Sequence, residues 1–274
     1  MQGSFPAYYS VGSGTAVVLL HCTLSSKNQW RALTGMLEKQ YRVIAVDLYG
    51  YGETEMPEQT EDYTLLTEAE LVDRLLGRLL APEERFHLVG HSYGGAVALR
   101  FAYQFPARVR TLTVFEPVAF HLLEPGDPGA TPVQEMMTEL ARLLREGERA
   151  GAAATFLDYW SAPGSFANFP PRVQQDFARR TDKLALDFQA LTRTPLTLED
   201  YSRLTMPVTV LAGTQSPLPA QRVARELASR LPTCRLQFVE TGHMGPVSHP
   251  ELVNPLIAAS LTRDAAAPQA SASL

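Results

Sequence analysis

Gly90-His91-Ser92-Tyr93-Gly94 decides how this chain is read. The five residues follow the pattern G-x-S-x-G. Before them runs Arg85-Phe86-His87-Leu88-Val89, a short apolar stretch that reads as a buried strand. After them, Gly95-Ala96-Val97-Ala98-Leu99-Arg100-Phe101-Ala102-Tyr103 opens on small residues and reads as a helix. A strand, a sharp turn and a helix hold a serine exposed on a strained turn. Glycine on either side of such a turn answers a steric demand, because a Cβ there would crowd the neighbouring strand or helix. The N–H groups that open the helix face the serine oxygen, where negative charge develops during nucleophilic attack.

The same alternation extends in both directions. Upstream, Tyr8 to Ser10 reads as a short edge strand. Ala16-Val17-Val18-Leu19-Leu20 and Arg42-Val43-Ile44-Ala45-Val46 are continuous apolar runs, as expected for strands buried on both faces. Gln29 to Leu37 reads as a helix between them. Thr67 to Leu80 repeats leucine at 71, 75 and 79, a helical spacing. Downstream, Val109 to Phe115 is another strand. Alternating strands and helices argue for βαβ units and a parallel sheet. The rhythm stops after Glu116. Gln134 to Gly147, Gly151 to Trp160 and Arg172 to Leu191 read as helices, broken by prolines at 125, 128, 132, 163, 170 and 171. It resumes with strands at 208–211 and 235–239 and helices at 220–230 and 250–261. The expected architecture is α/β: a mostly parallel, doubly wound sheet from residues 1–117 and 202–264, with a helical cap inserted at 118–201. Residues 265–274 are small and polar and are expected to be disordered.

The chain has 274 residues, 45% hydrophobic and 19% charged, with a formal net charge of −5. That length accommodates one large α/β domain with an insertion. No Lys/Arg cluster points to nucleic acid or an anionic membrane. No stretch approaches the roughly 18 apolar residues of a membrane-spanning helix. The first residues, Met1 to Pro6, have no basic or apolar leader, so no secretion signal is expected. The two cysteines, Cys22 and Cys234, form neither a disulfide framework nor a metal spacing, which fits a reducing cytoplasm. No cofactor or metal is expected.

Four motifs, in order over nearly the whole chain, resemble the α/β-hydrolase fold. Leu20-His21 ends the first buried strand, where that family carries its oxyanion loop. Asp47-Leu48-Tyr49-Gly50-Tyr51-Gly52 resembles its D-x-x-G-x-G loop, Gly90 to Gly95 its serine elbow, and Gly242-His243-Met244-Gly245-Pro246 its histidine loop. The resemblance implies a Ser–acid–His triad and no cofactor. It leaves the substrate open, since the fold hosts many chemistries.

Ser92 is the expected nucleophile, and a serine needs a base to take its proton. His243, four residues past Val239 and flanked by Gly242 and Gly245, fits that role. His249 is expected to start the last helix, and His21 and His91 to make structural hydrogen bonds. The acid is the harder assignment. Most members of the family carry an aspartate after the strand before the penultimate helix. Here that segment, Gly213-Thr214-Gln215-Ser216-Pro217-Leu218-Pro219, has no carboxylate. Some members carry it after the strand that follows the elbow helix, which in this chain is Glu116. Asp47 is the fallback, though it also suits bracing its own glycine turn. The resemblance implies an oxyanion hole from the backbone N–H groups of Tyr93 and Thr23. His21-Cys22-Thr23 stands where the family has His-Gly, and Cys22 is read as packing.

The inserted segment is rich in aromatics (Phe120, Phe156, Tyr159, Trp160, Phe166, Phe169, Phe177 and Phe188). Some of these, with Met136 and Met137, are expected to line an apolar pocket over Ser92. With no cationic clamp, a neutral, fairly apolar small-molecule ester or lactone is the expected substrate. Carbon–carbon bond hydrolysis and perhydrolysis use a similar constellation and stay open, as does a slow-turnover ligand sensor.

Overall fold

The structure, a computed structural model, describes residues 5–123, 126–127 and 130–262. The elements in chain order are β1 (Tyr8–Val11), β2 (Ala16–Leu20), α1 (Arg31–Leu37), β3 (Arg42–Val46), α2 (Leu65–Leu79), β4 (Phe86–His91), α3 (Tyr93–Gln104) and β5 (Val109–Phe115). The chain then passes through α4 (Thr131–Arg145), α5 (Arg149–Trp160), α6 (Pro171–Arg179), α7 (Thr181–Thr192) and α8 (Leu198–Tyr201). It finishes with β6 (Val208–Gly213), α9 (Leu218–Arg230), β7 (Cys234–Val239), α10 (Gly245–Ser248) and α11 (Pro250–Ser260). The expectation for residues 265–274 lies outside the described residues.

The strands form one sheet in the order β1-β3-β2-β4-β5-β6-β7, with β1 antiparallel and every other pair parallel. Apolar residues fill both faces, as continuous hydrophobic strands require. Val18, Leu20, Ile44 and Val46 face a core shared with α2, α3 and α9. Val17, Leu19, Val43 and Ala45 face the opposite core with Trp30, Leu33 and Ile257. Alternation along each strand therefore splits one apolar run between two cores. Strand order reverses between β2 and β4, which leaves a crevice at their carboxyl ends where such sheets bind ligands.

Between β5 and β6 the elements are helical, and they differ in detail from those expected. The helix expected over 172–191 is two, α6 and α7. Arg180 leaves helical geometry at φ −94°, ψ 5°, and the Thr181 hydroxyl bonds the Ala178 carbonyl, so a new helix starts in a new direction. The helix expected from Gln29 begins instead with a 3₁₀ turn over Lys27–Trp30 before α1. The short α8 and α10 had no periodic signal to reveal them.

Candidate active site

Strand register brings the site together. Leu20 pairs with Gly90, so the residues after β2 and β4 emerge side by side. His91 pairs with Phe115, and Phe115 with Leu211. Gly213 pairs with Val239. Residues 21–23, 92, 116 and 243 thus leave neighbouring strand ends at one edge of the sheet.

Ser92 sits between β4 and α3 at φ 55°, ψ −118°. Its N–H donates to the Phe115 carbonyl at 2.9 Å and its own carbonyl accepts from Ala96 N–H at 3.0 Å. The glycines allow this turn. A Cβ on Gly90 would collide with the Gly94 backbone, and one on Gly94 with the carbonyls of Leu20 and His21. Among the described residues, Leu24, Ser92 and Glu116 are the non-glycine residues with positive φ, at 57°, 55° and 43°, and all three lie here. Strain of this kind costs on the order of 1–3 kcal/mol per residue and persists where surroundings over-determine the backbone.

His243 links the other two groups. Its Nε2 lies 2.9 Å from Ser92 Oγ, and its Nδ1 lies 2.6 Å from Glu116 Oε2. All three side chains are buried. A carboxylate against Nδ1 keeps the ring proton there and leaves Nε2 bare toward the serine hydroxyl. The second carboxylate oxygen of Glu116 accepts the Gly213 N–H at 2.6 Å. Glu116 is thus held between β6 and His243, with no arginine partner among the described residues. Gly213 itself opens the segment that lacks a carboxylate.

The backbone N–H groups of Tyr93 and Thr23 have no acceptor among the described residues. Cys22 N–H is occupied by Gln29 Oε1 at 3.1 Å. Gln29 Nε2 lies 3.0 Å from His91 Nδ1, and His91 Nε2 lies 2.9 Å from the His243 carbonyl. With His91 donating through Nε2 and accepting at Nδ1, one relay joins the loop after β2 to the histidine loop. Burial, with His243 nearby, pushes the His91 pKa well below the usual histidine value, so the ring stays neutral. His21 also braces the site. Its Nε2 accepts Leu48 N–H at 3.1 Å and its Nδ1 meets the Cys22 carbonyl at 2.7 Å. Burial lowers its pKa to about 4.

The remaining candidates lie elsewhere. His249 stands just before α11 and its ring contacts Ser248 and Thr241. Asp47 accepts from Lys27 N–H, Lys27 Nζ and Glu53 N–H at 2.6–3.0 Å, which fixes its own turn. Cys22 is buried, and burial pushes its thiol up to about 12, which makes it a poor nucleophile.

Ser92 opens on a cavity of about 220 Å³, lined by Leu24, Phe156, Trp160, Phe169, Phe177 and Val247 among others. An inner crevice of about 10 Å³ lies between Ser92, Val118, Phe120, Leu184, Asp187 and Phe188. Neither wall carries an arginine or lysine. Trp160 lies against His243, with ring centroids 4.1 Å apart and planes at 36°. One pocket expectation needs correction. Met136 and Met137 belong to the core of the helical segment, where they pack against the helices rather than facing the cavity.

Sequence reasoning did not anticipate the buried charges of α7. Lys183 bonds Asp187 one turn on, and its Nζ is 3.0 Å from Glu68 Oε1. Asp187 Oδ2 accepts the hydroxyls of Tyr51 and Thr23, each at 2.7 Å. Tyr63 also donates to Glu68. Burial disfavours the charge on Lys183, but Asp187 and Glu68 outweigh it and its pKa is raised. A lysine and an aspartate at i and i+4 ordinarily read as an exposed helix pair. The available signal was that Asp187 falls on the apolar face of Leu184 and Leu191, at i+3 of a repeat that closes at i+7.

A parallel sheet with a serine elbow and a hydrogen-bonded Ser–His–Glu line defines a class of hydrolytic folds. Residues 17–256 match the alpha/beta hydrolase family, and the chain belongs to it. It is 28% identical over 224 residues to a poly(3-hydroxyalkanoate) depolymerase of Ectopseudomonas oleovorans, covering 81% of this chain and 75% of that one. It is 33% identical over 179 residues to a 2-hydroxy-6-oxo-2,4-heptadienoate hydrolase of Pseudomonas putida, covering 57% and 63%. A crystal structure of a hydrolase from Pseudomonas aeruginosa superimposes with a TM-score of 0.77 at 25% identity, over 94% of each chain. The chain spans about a third of the length (32%) of the uncharacterized Mycobacterium proteins it matches at 39% identity over 112 residues. No helix among the described residues is long and apolar enough to cross a membrane.

Proposed function

We propose that the chain is a serine hydrolase of small, neutral, fairly apolar carboxylic esters or lactones, working in the cytoplasm. The observation that carries this reading is the continuous line Ser92 Oγ–His243–Glu116, with gaps of 2.9 and 2.6 Å. His243 takes the Ser92 proton as Oγ attacks the carbonyl. Glu116 holds the ring in the productive tautomer and stabilises the imidazolium. The N–H groups of Tyr93 and Thr23 receive the oxyanion, and each such donor is worth roughly 3 kcal/mol in the transition state. The alcohol leaves with the proton from His243, and water admitted to the same place releases the acyl group. Residues 118–201 act as the cap that closes this site, on a core of residues 1–117 and 202–264.

Cavity chemistry narrows the substrate. A volume of about 220 Å³ is below the roughly 300–1,000 Å³ of drug-sized pockets, so short acyl and alcohol groups fit best. The inner crevice has room for about one water. A heptadienoate, the substrate in the name of the Pseudomonas putida relative, carries a carboxylate. With Asp187 on the wall and no lysine or arginine there, an anion is disfavoured.

Stopped-flow turnover of 4-nitrophenyl esters from acetyl to decanoyl tests the reading. Expected is a burst of one nitrophenolate per chain, with kcat/KM falling steeply beyond butyryl. No burst and no turnover above the Ser92→Ala variant would leave a binding protein instead.

A further inference from the structure

Helix α7 brings a buried lysine–aspartate pair to the edge of the site, and the reaction above does not use it. A buried ion pair is weak support for stability, since well-packed apolar residues often do as well or better. Asp187 nevertheless lies within the fold, 164 residues from Thr23, and accepts the Thr23 hydroxyl at 2.7 Å.

Thr23 is the place where such a bond matters. The loop after β2 is gripped through Cys22: Gln29 takes its N–H, while His21 Nδ1 and Ser25 N–H take its carbonyl at 2.7 and 3.3 Å. Past Cys22 the backbone turns through Leu24 at φ 57°, a conformation that needs outside support. The Thr23 side chain supplies an anchor there, and it runs to α7. Asp187 is itself fixed by Lys183 and by Tyr51, whose hydroxyl stays protonated because burial and the nearby Asp187 raise its pKa.

We propose that Asp187 is a positioning residue: its carboxylate holds the Thr23 hydroxyl so that the Thr23 N–H stays aimed at the developing oxyanion. Formation of the oxyanion hole then depends on the seating of α7 over the sheet. The proposal rests on the serine-hydrolase reading above. Oxyanion donors act by being fixed before charge develops, so a donor free to turn away loses much of its value.

A double-mutant cycle tests it on the full chain, with 4-nitrophenyl acetate as probe. Thr23→Val removes the hydroxyl, keeps the backbone N–H and leaves Asp187 bonded to Tyr51 and Lys183, so the variant folds. Thr23→Val and Asp187→Asn should each lower kcat about 10- to 50-fold, with KM within about threefold and the burst amplitude retained. The double variant should be no slower than the worse single one, because both break one bond. Thr23→Ser should recover most of the rate. A Thr23→Val enzyme within twofold of wild-type kcat overturns the proposal. So do losses that multiply in the double variant, or losses that track melting temperature alone. If Asp187→Asn does not fold, the valine and serine variants at 23 decide. A wild type with neither a burst nor turnover above Ser92→Ala defeats the serine-hydrolase reading itself, and the positioning role with it. A wild-type burst with an indifferent Thr23→Val removes only the role of Asp187.

Discussion

The sheet side and the helical side of the site are built differently. Ser92, Glu116 and His243 stand on strand ends or the loops that leave them, so main-chain register sets their spacing: Leu20 with Gly90, His91 with Phe115, Gly213 with Val239. Trp160 and Asp187 stand on α5 and α7, and side-chain packing across the chain sets their place: Trp160 on His243, Asp187 on Thr23 and Tyr51. In the proposed reaction, the groups that must be placed to a few tenths of an ångström stand on the sheet side. The helical half shapes the cavity, and in the proposal above it tensions one donor.

The largest expected effect falls on the sheet side. Ser92→Ala should lose roughly a millionfold in turnover, the scale seen when a triad nucleophile is removed, with an unchanged melting curve. Activity above a small fraction of wild type in a clean preparation would mean that the sheet half does not carry the reaction. Glu116→Gln should lose between about a hundredfold and ten-thousandfold in kcat, since charge goes while shape stays. Asp47→Asn should act only through stability, because Asp47 binds Lys27 and its own turn. If the two rank the other way, the acid is misassigned. His249→Ala should stay near wild-type turnover while His243→Ala is crippled.

That Ser92, His243 and Glu116 meet was legible because the sheet writes itself into short local patterns. A glycine-flanked serine between an apolar run and a small-residue helix, a histidine four residues after the last strand, and a carboxylate at a strand end each need only a few neighbours to be read. The boundaries that failed, at 29 and at 180, depend on local bonds such as Thr181 to Ala178 that periodicity does not carry. Lys183, Glu68 and Asp187 were illegible for another reason. Residue 183 meets residue 68 only through the tertiary fold, and a charged pair on a helix has a far commoner exposed reading. Gln29, which joins Cys22 to His91, is equally silent in sequence.

On the helical side the expected effects are in stability. Lys183→Met should lower the unfolding free energy by about 3–5 kcal/mol, because it leaves Glu68 and Asp187 buried without their cation. Urea midpoints would read this, and a loss below about 1 kcal/mol would show the cluster to be structurally idle.

A smaller effect is expected on both sides with pH. Burial lowers His21, His87 and His121 to about 4. Each is neutral when folded and takes a proton more readily when unfolded. The stability they hold is therefore full above about pH 6.5 and lost as pH falls from there toward 4. Between pH 7 and pH 5 the loss should be on the order of 1–2 kcal/mol per fully buried histidine, and less for His87 on the sheet. A urea midpoint unchanged over that interval would contradict the burial of these rings.

Trp160 against His243 also makes the site optically readable. The chain has two tryptophans, and Trp30 is sealed in the opposite core, with no histidine ring contact among the described residues. An imidazole packed on an indole perturbs its emission. Emission from Trp160 should therefore shift when a ligand parts the two rings, while Trp30 contributes a constant background. Trp160→Phe would remove the ligand-dependent component and leave the background. Entry of a ligand over Ser92 can then be followed by fluorescence, with no turnover required.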